Sequence, residues 1–346
     1  MEIILSMEEI DNENLRMHLE EETLIYLNQY PKDINRKKLL DMIRKDLMPN
    51  FPIDKNILEN RNLKKIPETI LVESAITIKR EILKYLPTND EFYSSPIIEE
   101  NIATVLPYAT PILILHHSLD QKWYYIQSSF YRGWILKESV LLITEQERLL
   151  FEKPEKFLVI TSPLIPFHDT YLDLGTTFPI LGIHDEFYEI FIPTIEGIQI
   201  DSLSKEVCNF GYLPYTKENI LMLAHKCIGI TYEWGGKNNG IDCSFLIYSI
   251  FKTFGFLFPR DTKNQEKVIG LRKINLKGKT ELEKKEILDS ISYPAILHKA
   301  GHILLAISNT QVIHAYGDAK KVILSSLNCY GTNLYPFLTS ISCIMK

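Results

Sequence analysis

Tyr232-Glu233-Trp234-Gly235-Gly236, followed by Gly240-Ile241-Asp242-Cys243-Ser244-Phe245-Leu246-Ile247, is the stretch on which the reading of this chain turns. A glycine-rich turn runs into Asp242, a residue type that caps helices, and then into an apolar run that stops at Gly255. The pattern predicts a helix from Cys243 to Phe254 with the thiol in its first turn. There the unpaired N–H groups and the positive end of the helix dipole favour a thiolate, and the same N–H groups can hold an oxyanion.

Downstream, His302 follows Gly301 and opens the apolar run Ile303-Leu304-Leu305-Ala306-Ile307, which reads as a strand buried on both faces. A histidine at the mouth of such a strand is either a core residue or a functional one. His314 lies in a second strand-like run, Val312–Tyr316. If the two runs pair across Ser308-Asn309-Thr310, Ile307 faces Gln311 and Leu304 faces His314. His302 and His314 are then diagonal neighbours on one face, about 7–8 Å apart or less at Cβ. A four-residue loop without a bulge would put them on opposite faces. His314 is thus either a cross-strand structural histidine or the group that orients His302. A thiol, a base and an orienting group are the parts that nucleophilic catalysis by cysteine requires. A zinc site built from Cys243, His302 and His314 lacks a flanking carboxylate or second thiol, so no metal or other cofactor is expected.

The rest of the 346-residue chain sets limits on function. Hydrophobic residues make up 45%, charged residues 24%, and the net charge is −6 without a long basic run, which argues against a nucleic-acid partner. No apolar stretch is long enough to span a membrane, and Met1–Ile10 does not read as a secretory signal. A cytoplasmic protein is expected, with a secreted or envelope protein the alternative if a leader has been trimmed. A monomer is expected. Five scattered cysteines (Cys208, Cys227, Cys243, Cys329, Cys343) without a C-x-x-C pair make a disulfide framework or structural zinc improbable. Cys227 falls on the apolar stripe of a helix that Thr216 caps and Gly229 stops, and reads as core.

Along the chain, residues 1–87 read as helical, with helices over Glu8–Tyr26, Ile34–Leu47 and Ser74–Leu86, a break at Pro49-Asn50-Phe51-Pro52 and a stop at Pro87. From 88 to 145 and from 150 to 210, short β-rich runs predict two small barrels, or one larger β domain. Residues 213–346 read as α+β, with helices first and then strands over His302–Ile307, Val312–Tyr316 and Lys321–Ser325. Leu271–Ile287 reads as a solvated insertion, and His116-His117 as a surface pair.

Tyr232-Glu233-Trp234-Gly235-Gly236, Asp242-Cys243-Ser244, Pro259-Arg260-Asp261 with Gln265, Gly301-His302 and Val312-Ile313-His314-Ala315 together resemble the NlpC/P60 family of cysteine peptidases over about residues 213–320. Arg132-Gly133-Trp134-Ile135 resembles the close of a bacterial SH3 barrel, a domain that members of the family carry. The resemblance implies a papain-like catalytic domain behind a helical segment and two SH3-like barrels. It implies Cys243 as nucleophile, His302 as base and His314 as orienting group. Tyr232 would lie near the oxyanion, with Trp234, Asp242 and Ser244 in the substrate subsites. Asp242 would pair with a free L-Ala amine, and Tyr93, in the first long barrel loop, would narrow the cleft. The implied activity is hydrolysis of the γ-D-Glu–diamino acid bond of peptidoglycan stem peptides. A non-catalytic wall-binding adaptor and an acyl or amide transferase are the rival readings. Phe245 departs from the small residue usual in the family. Arg260 is either a structural ion pair or part of the cleft wall.

Overall fold

The computed structural model describes residues 2–46, 51–329 and 331–346. Leu47 and Pro49-Asn50, parts of the expected second helix and break, lie outside the described residues, as does the side chain of Cys329. The chain divides into two compact units: one holds residues 1–24, 161–163 and 212–346, the other residues 25–160 and 164–211. The N-terminal helical segment is therefore shared between them rather than standing alone.

In the second unit, a seven-stranded antiparallel sheet joins, in order, 140–142, 73–77, 111–117, 123–127, 132–136, 81–84 and 102–106. This corrects the expected third helix: Glu73–Thr77 and Glu81–Lys84 are strands. Their apolar residues, with Ala75, Ile76 and Leu83 fully buried, have a spacing that also fits a helix. The strand partners that decide the matter lie far along the chain, at 111–117, 140–142 and 102–106. The helical segment accordingly does not reach residue 87. Its helices are Met7–Glu20, Arg36–Lys45 and Lys55–Asn60, the first ending well before Tyr26. Tyr93 sits on a two-strand hairpin, Tyr93–Ser95 with Ile98–Glu99, inside the long loop between the strands 81–84 and 102–106. His116 is not at the surface: it is buried in its strand beside the Arg61 carbonyl, and desolvation pushes its pKa down to about 4.

After the helix Glu145–Glu152, a five-stranded sheet of 197–204, 187–194, 177–183, 157–160 and 208–210 forms the second β-rich block, with a hairpin of Ile165–Phe167 and Thr170–Leu172. The two sheets are separate, but one core cluster joins Ile76, Tyr108 and Ala109 to Phe178, Leu158 and Ile190. A buried ion pair between Arg80 and Asp173 at 3.0 Å and a bond from the Tyr108 hydroxyl to the Pro193 carbonyl at 2.6 Å fasten them further.

The first unit is α+β. Its antiparallel sheet runs 272–275, 338–343, 295–299, 302–306, 311–316 and 321–326. Thr216 caps the helix Lys217–Lys226 as read from sequence, and the helix Cys243–Lys252 packs against the strands 302–306 and 311–316. Residues 271–287 are not merely a solvated insertion. Arg272–Asn275 extends the sheet, and the helix Glu281–Asp289 lays Leu288 on its core. Even Lys284 is buried there, its ammonium donating to the Pro336 and Leu338 carbonyls. The apolar residues of this segment are few among many charges, so its covering role has little local signature. Among the described residues no helix is long and apolar enough to cross a membrane.

Candidate active site

Asp242 caps the nucleophile helix: its Oδ1 accepts from the Phe245 N–H at 2.8 Å. The preceding turn is tight, with Gly235 at φ +64° and Gly236 at φ +85°, a conformation that glycine adopts without strain. It aims the Gly235 N–H at Asp242 Oδ2, 3.1 Å away. Arg260, almost fully buried, donates to Asp242 Oδ2 at 2.5 Å and to Ser244 Oγ at 2.7 Å, and its guanidinium lies 5.0 Å from the centre of the Phe245 ring. Arg260 is thus an ion pair with Asp242. Phe245 is the platform for that guanidinium. Ser244 Oγ donates in turn to Asp242 Oδ1 at 3.3 Å, and Gln265 donates to the carbonyls of Ser244 and Pro259.

Asp242 therefore receives four donors: the Phe245 and Gly235 N–H groups, the Ser244 hydroxyl and the Arg260 guanidinium. A carboxylate offers about four lone-pair sites. Recognition of a substrate amine at Asp242 requires that one of these donors be exchanged for the ammonium.

On the sheet side, the strands 302–306 and 311–316 pair with Leu305 opposite Ile313 and Ala306 opposite Val312, and the Ile307 N–H donates to the Gln311 carbonyl. This is the odd-loop register derived from sequence. It brings His302 Nε2 to 2.8 Å from His314 Nδ1, with both rings buried. Gly301 takes φ +70° with open space around it, so it serves the turn into this strand and not a close approach. His314 Nε2 lies 3.1 Å from Ser325 Oγ, and the Tyr316 ring stacks on His314 at 5.0 Å between centroids.

The thiol of Cys243 is buried where its helix packs against the strand that His302 opens, and Thr262 Oγ1 lies 4.0 Å from the sulfur. Burial, helped by the charge on Asp242, pushes the thiol up to about 11, and this outweighs the Ile303 N–H, Thr262 and Arg260. Burial likewise holds His302 well below the usual imidazole range, with His314 adding to it, and brings His314 down to about 4. The resting pair is therefore thiol and neutral imidazole, not the preformed thiolate that the helix terminus alone would favour. Tyr232 is half-buried, and its hydroxyl is pushed up first by burial and then by the neighbouring acidic groups of Cys243 and Asp242. Trp234 is half-buried in the glycine turn. Among the described residues no group of three or more His, Cys, Asp or Glu side chains is placed to hold a metal ion. Cys208, Cys227, Cys243 and Cys343 are free thiols.

The profile of the NlpC/P60 family matches residues 229–335, which span Tyr232, Asp242, Cys243, Arg260, His302, His314 and Ser325. Residues 229–335 are an NlpC/P60 domain. An SH3 domain of the SH3b1 type covers residues 96–136. The chain is 29% identical over 141 residues to the gamma-D-glutamyl-L-lysine dipeptidyl-peptidase of Bacillus subtilis, covering 40% of this chain and 46% of that protein. The match thus spans about half the length of that relative. Among solved structures, an NlpC/P60 endopeptidase from Photobacterium damselae subsp. piscicida aligns over 94% of this chain and 87% of its own, at TM-score 0.73 and 19% identity. An NlpC/P60 family protein from Bacillus cereus aligns over 79% of this chain and 100% of its own, at TM-score 0.58 and 14% identity. At those identities the two structures speak for the fold. It is that of an NlpC/P60 domain, papain-like, behind SH3-type β structure.

Sequence reasoning did not find Ser325, Thr262 or the Asp242–Arg260 pairing. Ser325 had a signal. Ile323 faces His314 across the ladder, so the residue two further on shares that face.

Proposed function

We propose that this chain is a cysteine peptidase that cuts bacterial cell-wall peptides at the γ-D-Glu–diamino acid bond, acting on stem peptides with a free N-terminal L-Ala. The observation that carries the reading is the 2.8 Å contact between His302 and His314 on the two strands against which the Cys243 helix packs. His314 occupies His302 Nε2, which leaves Nδ1 to take the proton of the thiol.

Because thiol and imidazole are both neutral at rest, the proton passes from Sγ to His302 as sulfur attacks the γ-carbonyl carbon. The oxyanion formed is held by N–H groups at the helix terminus, including that of Cys243, with the Tyr232 hydroxyl beside it. His302 then gives its proton to the leaving amine as the C–N bond breaks, and a thioester remains. Water donates a proton to His302 and attacks the thioester. The S–C bond breaks, the peptide acid leaves, and the thiol regains its proton. Trp234 and Ser244 line the subsite, and the L-Ala ammonium competes with Arg260 and the capping N–H groups for Asp242.

The test is product identification by mass spectrometry after incubation with L-Ala-γ-D-Glu-diaminopimelate and its N-acetylated form. Cleavage of the free peptide is expected, with loss of turnover in Cys243→Ala and little cleavage of the acetylated form. Turnover by Cys243→Ala would overturn the nucleophile, equal cleavage of both peptides the role of Asp242. Binding without any product by the native chain would favour the adaptor reading.

A further inference from the structure

We propose that Ser325 is a positioning residue that sets where the protons sit in the His302–His314 relay; the proposal rests on the reading of His302 as the base. The chain of contacts runs from His302 Nε2 to His314 Nδ1 at 2.8 Å, and from His314 Nε2 to Ser325 Oγ at 3.1 Å. Two proton arrangements satisfy it. In one, Ser325 accepts from His314 Nε2–H, His314 Nδ1 accepts from His302 Nε2–H, and His302 Nδ1 keeps its lone pair. In the other, Ser325 donates, every bond reverses, and His302 carries its proton on Nδ1. Only the first lets His302 receive a proton from a thiol, because in the second that nitrogen is already protonated.

The charged state decides between them. Once His302 is an imidazolium, both its nitrogens bear protons, so His314 Nδ1 must accept and His314 Nε2 must donate. The acceptor this requires is Ser325 Oγ. A hydroxyl serves because it can turn its own proton aside and present oxygen. Ring orientation has a separate support. Tyr316 stacks on His314 with 27° between planes, and its ring lies 6.0 Å from that of His302. The strand register also fixes the placement, with His314 opposite Ile323 and Val312 opposite Ser325. Loss of the hydroxyl therefore leaves the rings in place and releases their protons.

Ring-nitrogen NMR of the full-length chain reads the tautomers directly, and steady-state cleavage of L-Ala-γ-D-Glu-diaminopimelate reads the consequence. In the native chain, His302 and His314 are expected to be protonated on Nε2. In Ser325→Ala, His314 is expected to become a mixture of tautomers, with kcat down roughly tenfold, the effect of losing one hydrogen bond to a group in a charged relay, and KM unchanged. Ser325→Thr, which keeps the acceptor, should restore the native tautomer and kcat to within about threefold. A native His314 protonated on Nδ1, or a Ser325→Ala variant with native tautomers and kcat, overturns the proposal. If Ser325→Ala does not fold, the native spectrum and Ser325→Thr still decide. If the native chain cleaves no peptide, the peptidase reading fails, while the tautomer assignment is judged on the spectra alone.

Discussion

The two flanks of Cys243 are built by opposite means. On the helix flank, Asp242 and Arg260 carry charge into the interior, and every charge is met: four donors on the carboxylate, and a carboxylate, a hydroxyl and an aromatic face around the guanidinium. On the sheet flank, His302, His314 and His298 are just as buried but are kept neutral. The difference separates two tasks. A saturated ionic cluster has one low-energy arrangement and so fixes the position of the helix terminus. A neutral imidazole chain can carry its protons on either set of nitrogens and so can take one up and pass it on. The thiol stands where the fixed side meets the mobile one.

If that division is right, the largest effect on chemistry comes from the sheet flank. His302→Gln should lower kcat for L-Ala-γ-D-Glu-diaminopimelate by about a thousandfold or more and leave the unfolding midpoint nearly unchanged. A loss of stability as large as the loss of rate would show that His302 is mainly a packing residue. Conversely, the largest effect on folding comes from the helix flank. Arg260→Ala strands the Asp242 charge and should cost about 3–5 kcal/mol in urea unfolding. Coupling the change with Asp242→Asn should recover much of that cost. If Arg260→Ala alone is tolerated within about 1 kcal/mol, the pair behaves as a surface bridge and the comparison collapses.

How much of this could be read from the sequence follows the same division. The histidine relay was legible because a hairpin is local. The parity of the Ser308-Asn309-Thr310 loop fixes the face of every residue on both strands, and the observed register agrees with it. The cap at Asp242 and the stop at Gly255 were legible for the same reason. The partner of Asp242 was not, because Arg260 lies 18 residues away and nothing in the spacing distinguishes Asp242 from the adjacent Asp261. Nor was the state of the thiol. A helix terminus is visible in a sequence, but the burial that overrides it is the sum of a whole fold. The strands at 73–77 and 81–84 failed in a third way: their periodicity suits a helix, and only distant strands make them a sheet. Residues 271–287 show charge in sequence and hide the few apolar contacts that dock them.

The smallest expected effect tests whether the sheet flank is neutral in fact. His298 is fully buried, with Nε2 2.9 Å from Ser342 Oγ and Nδ1 without a hydrogen-bond partner, and desolvation depresses it from 6.5 to about 4. The unfolded chain binds a proton at this residue below pH 6.5, and the folded chain does not until about pH 4. The stability it contributes is therefore complete above the unfolded value, declines as pH falls through this window, and is lost below about pH 4. At about 1.4 kcal/mol per pH unit, the loss from this one group is about 3 kcal/mol. His314 titrates over the same range in the same direction, and so does His116 in the β-rich unit, so the raw pH slope belongs to several groups. The difference between the native chain and His298→Gln isolates one of them. Urea unfolding between pH 7 and pH 4 should show the variant losing less stability on acidification, whatever its starting value. Parallel curves would mean that His298 is already protonated in the folded state, and a protonated imidazole within the sheet would undo the claim that this flank excludes charge.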